Sequence, residues 1–130
     1  MPLPVTALYA ALLCSVGLVL QNLVGRERLR AGISLGDAGD PRLAEAMRRQ
    51  ANFVEQVPLA LLLLAVIESN GASAAWLHGL GFSLFVCRVV HPFGVNARDM
   101  RVRARFVGAF GTLLVMLAEV SIAGWQGLAG

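Results

Sequence analysis

Arg48, Asn52 and Glu55 stand at i, i+4 and i+7, so a helix carries all three as one polar stripe. Gln56 lies beside the stripe. Pro58 cannot donate to the carbonyl of Val54, which predicts a bend or local opening just above it. Further along, Arg88 and His91 fall one turn apart. Arg101, Arg103 and Arg105 follow, with Arg101 and Arg105 on a shared face. An ionised Glu55 in apolar surroundings needs a cation or several donors, and Arg88 is the expected partner. Together these side chains can close a cationic pocket walled by apolar helices. Such a pocket suits a small anionic ligand met by a lipophilic co-substrate. Plainer roles stand beside this one. Arg48, Arg49, Arg98, Arg101 and Arg103 can act as interfacial anchors, Glu55 with Arg88 as a structural pair fixing register, and His91, before Pro92, as a helix end. No cluster of His, Cys and carboxylate has metal-ligand spacing, so no metal is expected. Neither a phosphate-binding G-x-x-x-x-G-K-[ST] nor a G-x-S-x-G nucleophile elbow is present.

The elements that must position these residues are apolar. Of 130 residues, 57% are hydrophobic and 15% charged, against about a quarter charged in ordinary soluble domains. Four uncharged or sparsely charged blocks each have helix length and lack strand-like alternation. They predict an all-α, integral membrane four-helix bundle in a single domain over 1–130, with helices at about 3–24, 41–69, 75–95 and 105–125. The first block has no basic segment before it and exceeds the core of a signal peptide, so it is expected to stay as a span. Its polar residues of note are Ser15, Gln21 and Asn22, with no carboxylate, which argues against a small four-helix exporter.

The net charge of +3 comes from eleven basic residues, all of them arginine. Ten of the eleven fall in or beside the connections between the first and second and between the third and fourth blocks. The positive-inside rule puts those loops in the cytoplasm and both termini on the other side. Membrane lipids, not nucleic acid, are the partner this basic balance implies. Tyr9, Trp76 and Trp125 are expected at the outer interface, and Glu119 near it, where it could reach water or pair across subunits. Cys14 and Cys87 lie in apolar runs and are expected to be small core residues. In the first cytoplasmic loop, Asp40 predicts an N-cap with Pro41 at the first helical position. Gly79 with Ser83, and Gly108 with Thr112, predict close helix contacts.

The run Arg48-Arg49-Gln50-Ala51-Asn52-Phe53-Val54-Glu55-Gln56-Val57-Pro58 resembles the signature of the MAPEG family, membrane-associated proteins in eicosanoid and glutathione metabolism. The match is R-x-x-x-N-x-x-E-x-x-P at the start of the second of four helices. Leu35-Gly36-Asp37-Ala38-Gly39-Asp40 and Arg88-Val89-Val90-His91 are similar to the bacterial branch, and the resemblance covers essentially the whole chain. It implies a homotrimer in a bacterial inner membrane, with glutathione as co-substrate bound between adjacent subunits on the cytoplasmic side. By the resemblance, Arg48, Asn52 and Glu55 hold the tripeptide's carboxylates and amino group, with Gln50 assisting. Arg88 and His91 match a family Arg-x-x-His, and Arg26 or Arg28 reaches in from the neighbouring subunit. Arg105, with Arg103 second, stabilises the thiolate for transfer to, or reduction of, a lipophilic electrophile. One departure stands out: position 95 is Val95, where better-known enzymes of the family place a glutathione-contacting tyrosine. The alternative function is a non-enzymatic membrane scaffold or anion-binding protein that keeps the stripe for trimer assembly.

Overall fold

The structure, a computed structural model, describes residues 2–95 and 103–129. Four long helices follow one another: α1 (Pro4–Ala31), α2 (Pro41–Ser69), α3 (Ala74–Val90) and α4 (Arg103–Ala129). All four spanning segments are long and apolar enough to cross a membrane, the third being completed by the turn that follows α3. The fold is therefore an all-α membrane four-helix bundle.

α1 continues past the apolar block that defines it, from residue 24 to Ala31. The added turns contain Arg26, Glu27, Arg28, Leu29, Arg30 and Ala31, all good helix formers, and nothing stops the helix before Gly32. Gly32 takes φ +68, the left-handed geometry that ends helices, and its N–H returns to the Arg28 carbonyl. Arg28 then organises the loop, donating from Nη1 to the carbonyls of Ile33, Ser34 and Gly36 at 3.4, 3.3 and 3.0 Å. α2 opens as its sequence predicts. Asp40 accepts from the Leu43 N–H at 2.9 Å, and Pro41 stands at the first position. That N–H, followed by Arg30 at 2.6 Å, holds the Asp40 carboxyl below the usual carboxylate range. α2 runs unbroken through Pro58, so the expected bend is not a break in the helix.

α3 stops at Val90, short of the expected residue 95, and a 3-10 turn covers His91–Gly94. Pro92 has no N–H for the Arg88 carbonyl, so the backbone tightens there. α1 packs chiefly on α2, and α3 on α4. The main core is aliphatic, with Leu13, Ala60, Leu64, Ile67 and Leu84 fully buried, while Leu18, Leu62, Phe82, Leu113 and Val120 are exposed on the outer faces. In water such a surface would be an aggregation liability; in hydrocarbon it is the solvent-facing side.

Close approach depends on small residues. A side chain on Gly108 would meet His91 and the Cys87 carbonyl, and one on Gly111 would meet the Cys87 sulfur. Gly108 and Thr112 thus serve the α3–α4 contact, whereas Gly79 faces open space. The slot on α3 is instead at Gly81, which the Tyr9 ring fills. Tyr9 is consequently buried, its hydroxyl 3.2 Å from both His78 Nδ1 and the His78 carbonyl, and is not an interfacial anchor. Trp76 and Trp125 are exposed. Cys14 is exposed as well, on the outer face of α1, whereas Cys87 is packed.

Candidate functional site

Arg88 is the buried arginine among the described residues, 2% exposed. α3 aims it between α2 and α4, where Nη1 donates to Asn52 Oδ1 at 2.9 Å and Nη2 to the Gly108 carbonyl at 2.8 Å. The same carbonyl accepts from Thr112 Oγ1 at 2.7 Å. Arg88 Nε has no partner among the described residues. A hollow of about 150 Å³ adjoins the guanidinium, lined by Asn52, Gln56, Arg88, Ala109, Thr112 and Leu113. Neutral dipoles take Nη1 and Nη2, Nε is left over, and no carboxylate among the described residues forms an ion pair with the guanidinium, a state that favours an anion nearby.

The expected Glu55–Arg88 pair is not formed. Glu55 lies on the outer side of α2, where Arg48 Nη2 reaches its Oε2 at 3.3 Å, both side chains more than half exposed. The reason is rotational. Asn52, not Glu55, takes the inward position opposite Arg88, and the Gly108 carbonyl, bared by the missing side chain, takes the second terminal nitrogen. Glu119 also departs from expectation. It has no exposed surface and lies inside the bundle, not at an aqueous edge.

The remaining candidates are spread over several faces. Gln50 lies with Gln21, Asn22 and Arg28 along a groove between α1 and α2 of about 430 Å³. Arg26 and Arg28 line a neighbouring hollow of about 640 Å³ beneath the loop. Much of Arg28 is already committed to loop carbonyls. His91 is buried against Gly108 at the head of the 3-10 turn. Arg103 is exposed at the start of α4, and Arg105, half-buried, has its backbone against Gly94. Arg98 and Arg101 lie outside the described residues. The single chain therefore joins Arg88, Asn52 and Thr112, and separately Arg48 and Glu55, without gathering all ten candidates about one cavity.

Arg49, read from sequence as an anchor, has a further role. Its Nε and Nη2 donate to the Val95 carbonyl at 3.1 and 2.7 Å, with Glu45 3.5 Å away. It thereby ties the end of the 3-10 turn to α2. No signal in the linear pattern could reveal a contact between residues 46 apart.

The fold and this buried polar seam define an integral membrane protein of four helices with an arginine held between them. The chain belongs to the MAPEG family, whose model matches residues 6–125. It is similar to the inner membrane protein YecN of Escherichia coli K12, 32% identical over 124 residues, covering 94% of this chain and 95% of that protein. The same protein from Escherichia coli O6:H1 matches to the same extent. No solved structure matches the chain.

Proposed function

We propose that the protein binds glutathione as co-substrate on the cytoplasmic side of a bacterial inner membrane. On this reading it is a glutathione transferase or peroxidase acting on lipophilic electrophiles. The carrying observation is the outer face of α2. Arg48 and Glu55 are paired and exposed there among Val54, Leu59 and Leu62, which are exposed too. An ion pair facing hydrocarbon is costly. A homotrimer with the ligand between adjacent protomers covers it and supplies the peptide's charges with partners.

In that arrangement Arg48 and Glu55 meet the carboxylates and the amino group. Asn52 keeps its amide N–H groups for the ligand, because its oxygen already accepts from Arg88. Gln50 and an Arg26 or Arg28 of a neighbouring copy extend the site. Arg105, or Arg103, stands at the head of α4 to stabilise the thiolate. Lowering a thiol pKa from ~8.5 to ~6.5 needs ~2.7 kcal/mol of preferential thiolate stabilisation, within the range of an arginine in a dry pocket. The thiolate sulfur then attacks an electrophile that arrives through the bilayer. Membership of the MAPEG family supports the reading, and the name of the Escherichia coli relative supports its inner-membrane setting.

A scaffold without catalysis is the second reading. One observation favours it: Arg88 on α3 ties three helices together through Asn52 of α2 and the Gly108 carbonyl of α4. Calorimetric titration with glutathione and an S-alkyl analogue, with native mass spectrometry on the same sample, separates the two. Binding to an intact trimer is expected. An intact trimer that binds neither ligand would support the scaffold.

A further inference from the structure

Glu119 has no exposed surface, and neither of its carboxyl oxygens has a hydrogen-bond partner among the described residues. It shares an inward face of α4 with Thr112 and Gln126, seven residues to either side, and with Val115 between. Thr112 is satisfied by the Gly108 carbonyl, and Gln126 Nε2 lies 3.5 Å from the Ile67 carbonyl.

Among the described residues, no cation on the elements packed against α4 is available to it. On α2, Glu68 is itself acidic and is spent on α1, accepting from the Val5 and Thr6 N–H groups at 2.9 and 2.7 Å. On α3, His78 is exposed and engaged by Tyr9, and Arg88 is held beside Gly108, ~16 Å of helix rise from Glu119. His91, in the turn after α3, packs at the Gly108 level as well. An ionised carboxylate in this position would have neither donor nor counter-ion in a medium that solvates no charge.

We propose that Glu119 is a proton-binding site. It is a neutral carboxylic acid in the closed bundle at neutral pH, and it releases its proton only when α4 parts from the helices around it. Proton occupancy and closure of this part of the bundle are then linked: deprotonation places a bare charge in the core, so the folded state loses stability as pH rises. The inference goes beyond the glutathione reading and uses none of its residues.

The test uses full-length protein in detergent, labelled with carbon-13 at the glutamate side-chain carboxyl and examined by infrared spectroscopy at neutral pH. A carbonyl band of a neutral acid is expected, lost in Glu119→Gln while the carboxylate bands stay. Label found wholly in carboxylate bands, or an acid band that survives in Glu119→Gln, overturns the proposal. Thermal unfolding followed from acidic to alkaline pH gives a second reading. The midpoint of the wild type should fall relative to Glu119→Gln as pH rises, and parallel curves count against the site. Should Glu119→Gln not fold, the labelled wild type still decides. Its acid band must be present at neutral pH and must vanish on raising the pH together with unfolding.

Discussion

At the residue scale, two substitutions three positions apart on α2 should behave differently because their side chains face different media. Asn52→Leu removes the acceptor of a buried guanidinium, and stranding a buried donor costs about 1–3 kcal/mol, more when it is charged. Its unfolding midpoint in detergent should drop by several degrees. Glu55→Gln alters a pair on the outer face of α2 that ties no two helices together and should leave that midpoint nearly unchanged. On the glutathione reading it instead weakens ligand binding, as titration calorimetry would register. A destabilised Glu55→Gln with unaltered binding would reverse both assignments. Arg105 gives a third residue-level expectation. Arg105→Ala should reduce the ultraviolet thiolate absorbance produced on adding glutathione while affinity changes much less, the pattern of a contact made to the reactive species. Arg105→Lys should restore only part of it, because an ammonium lacks the planar fork. Equal thiolate signals in wild type and Arg105→Ala would remove it from the mechanism.

Among the elements, the entry to α2 and the α3–α4 seam carry separable demands. Asp40 caps α2 and also meets Arg30, and both contacts require the carboxylate. Its carboxyl is held below the ordinary value in the folded protein. Its contribution is therefore fully present above the unfolded carboxylate range and is lost as pH falls through the depressed folded value. Asp40→Ala should lower the unfolding midpoint at neutral pH, and the gap from wild type should close in strong acid. A gap independent of pH would point to backbone geometry alone. In the seam, Gly108→Val inserts a branched side chain where His91 and the Cys87 carbonyl already sit. It should separate α3 from α4, deprive Arg88 of the Gly108 carbonyl, and lower stability by more than the ~1–3 kcal/mol of ordinary overpacking. Gly79→Ala, which faces open space, serves as the matched control with little effect.

For the molecule as a whole, the distribution of arginine argues for one orientation. Ten of eleven arginines lie in or beside the two loops at one end of the bundle. That asymmetry predicts cytoplasmic loops and both termini on the opposite side. A reporter that works only in the cytoplasm should be silent when fused after Gly130 and active when inserted in the loop at Gly36. The reverse pattern would invert the protein and move the proposed ligand site to the other face.

Four apolar helices, the turn and cap at Asp40, and the family, through the stripe from Arg48 to Pro58, are all legible in the linear chain. Each of these is written locally, in the length of an apolar run, in a capping residue before a proline, or in spacing along one helix. What each buried polar side chain meets was decided only by the tertiary structure. Spacing places Asn52 and Glu55 on one stripe but leaves open which of them turns inward, and the rotation of α2 against α3 gave Arg88 to Asn52. Tyr9 was drawn inside because Gly81, 72 positions away, leaves a slot for its ring. Glu68 caps α1 across 63 residues, and Arg49 holds the Val95 carbonyl across 46. Glu119 is sealed in the core because its face of α4 is the one packed on the other helices. Such contacts depend on helix rotation and depth, and these follow from the shapes of all four packed faces together.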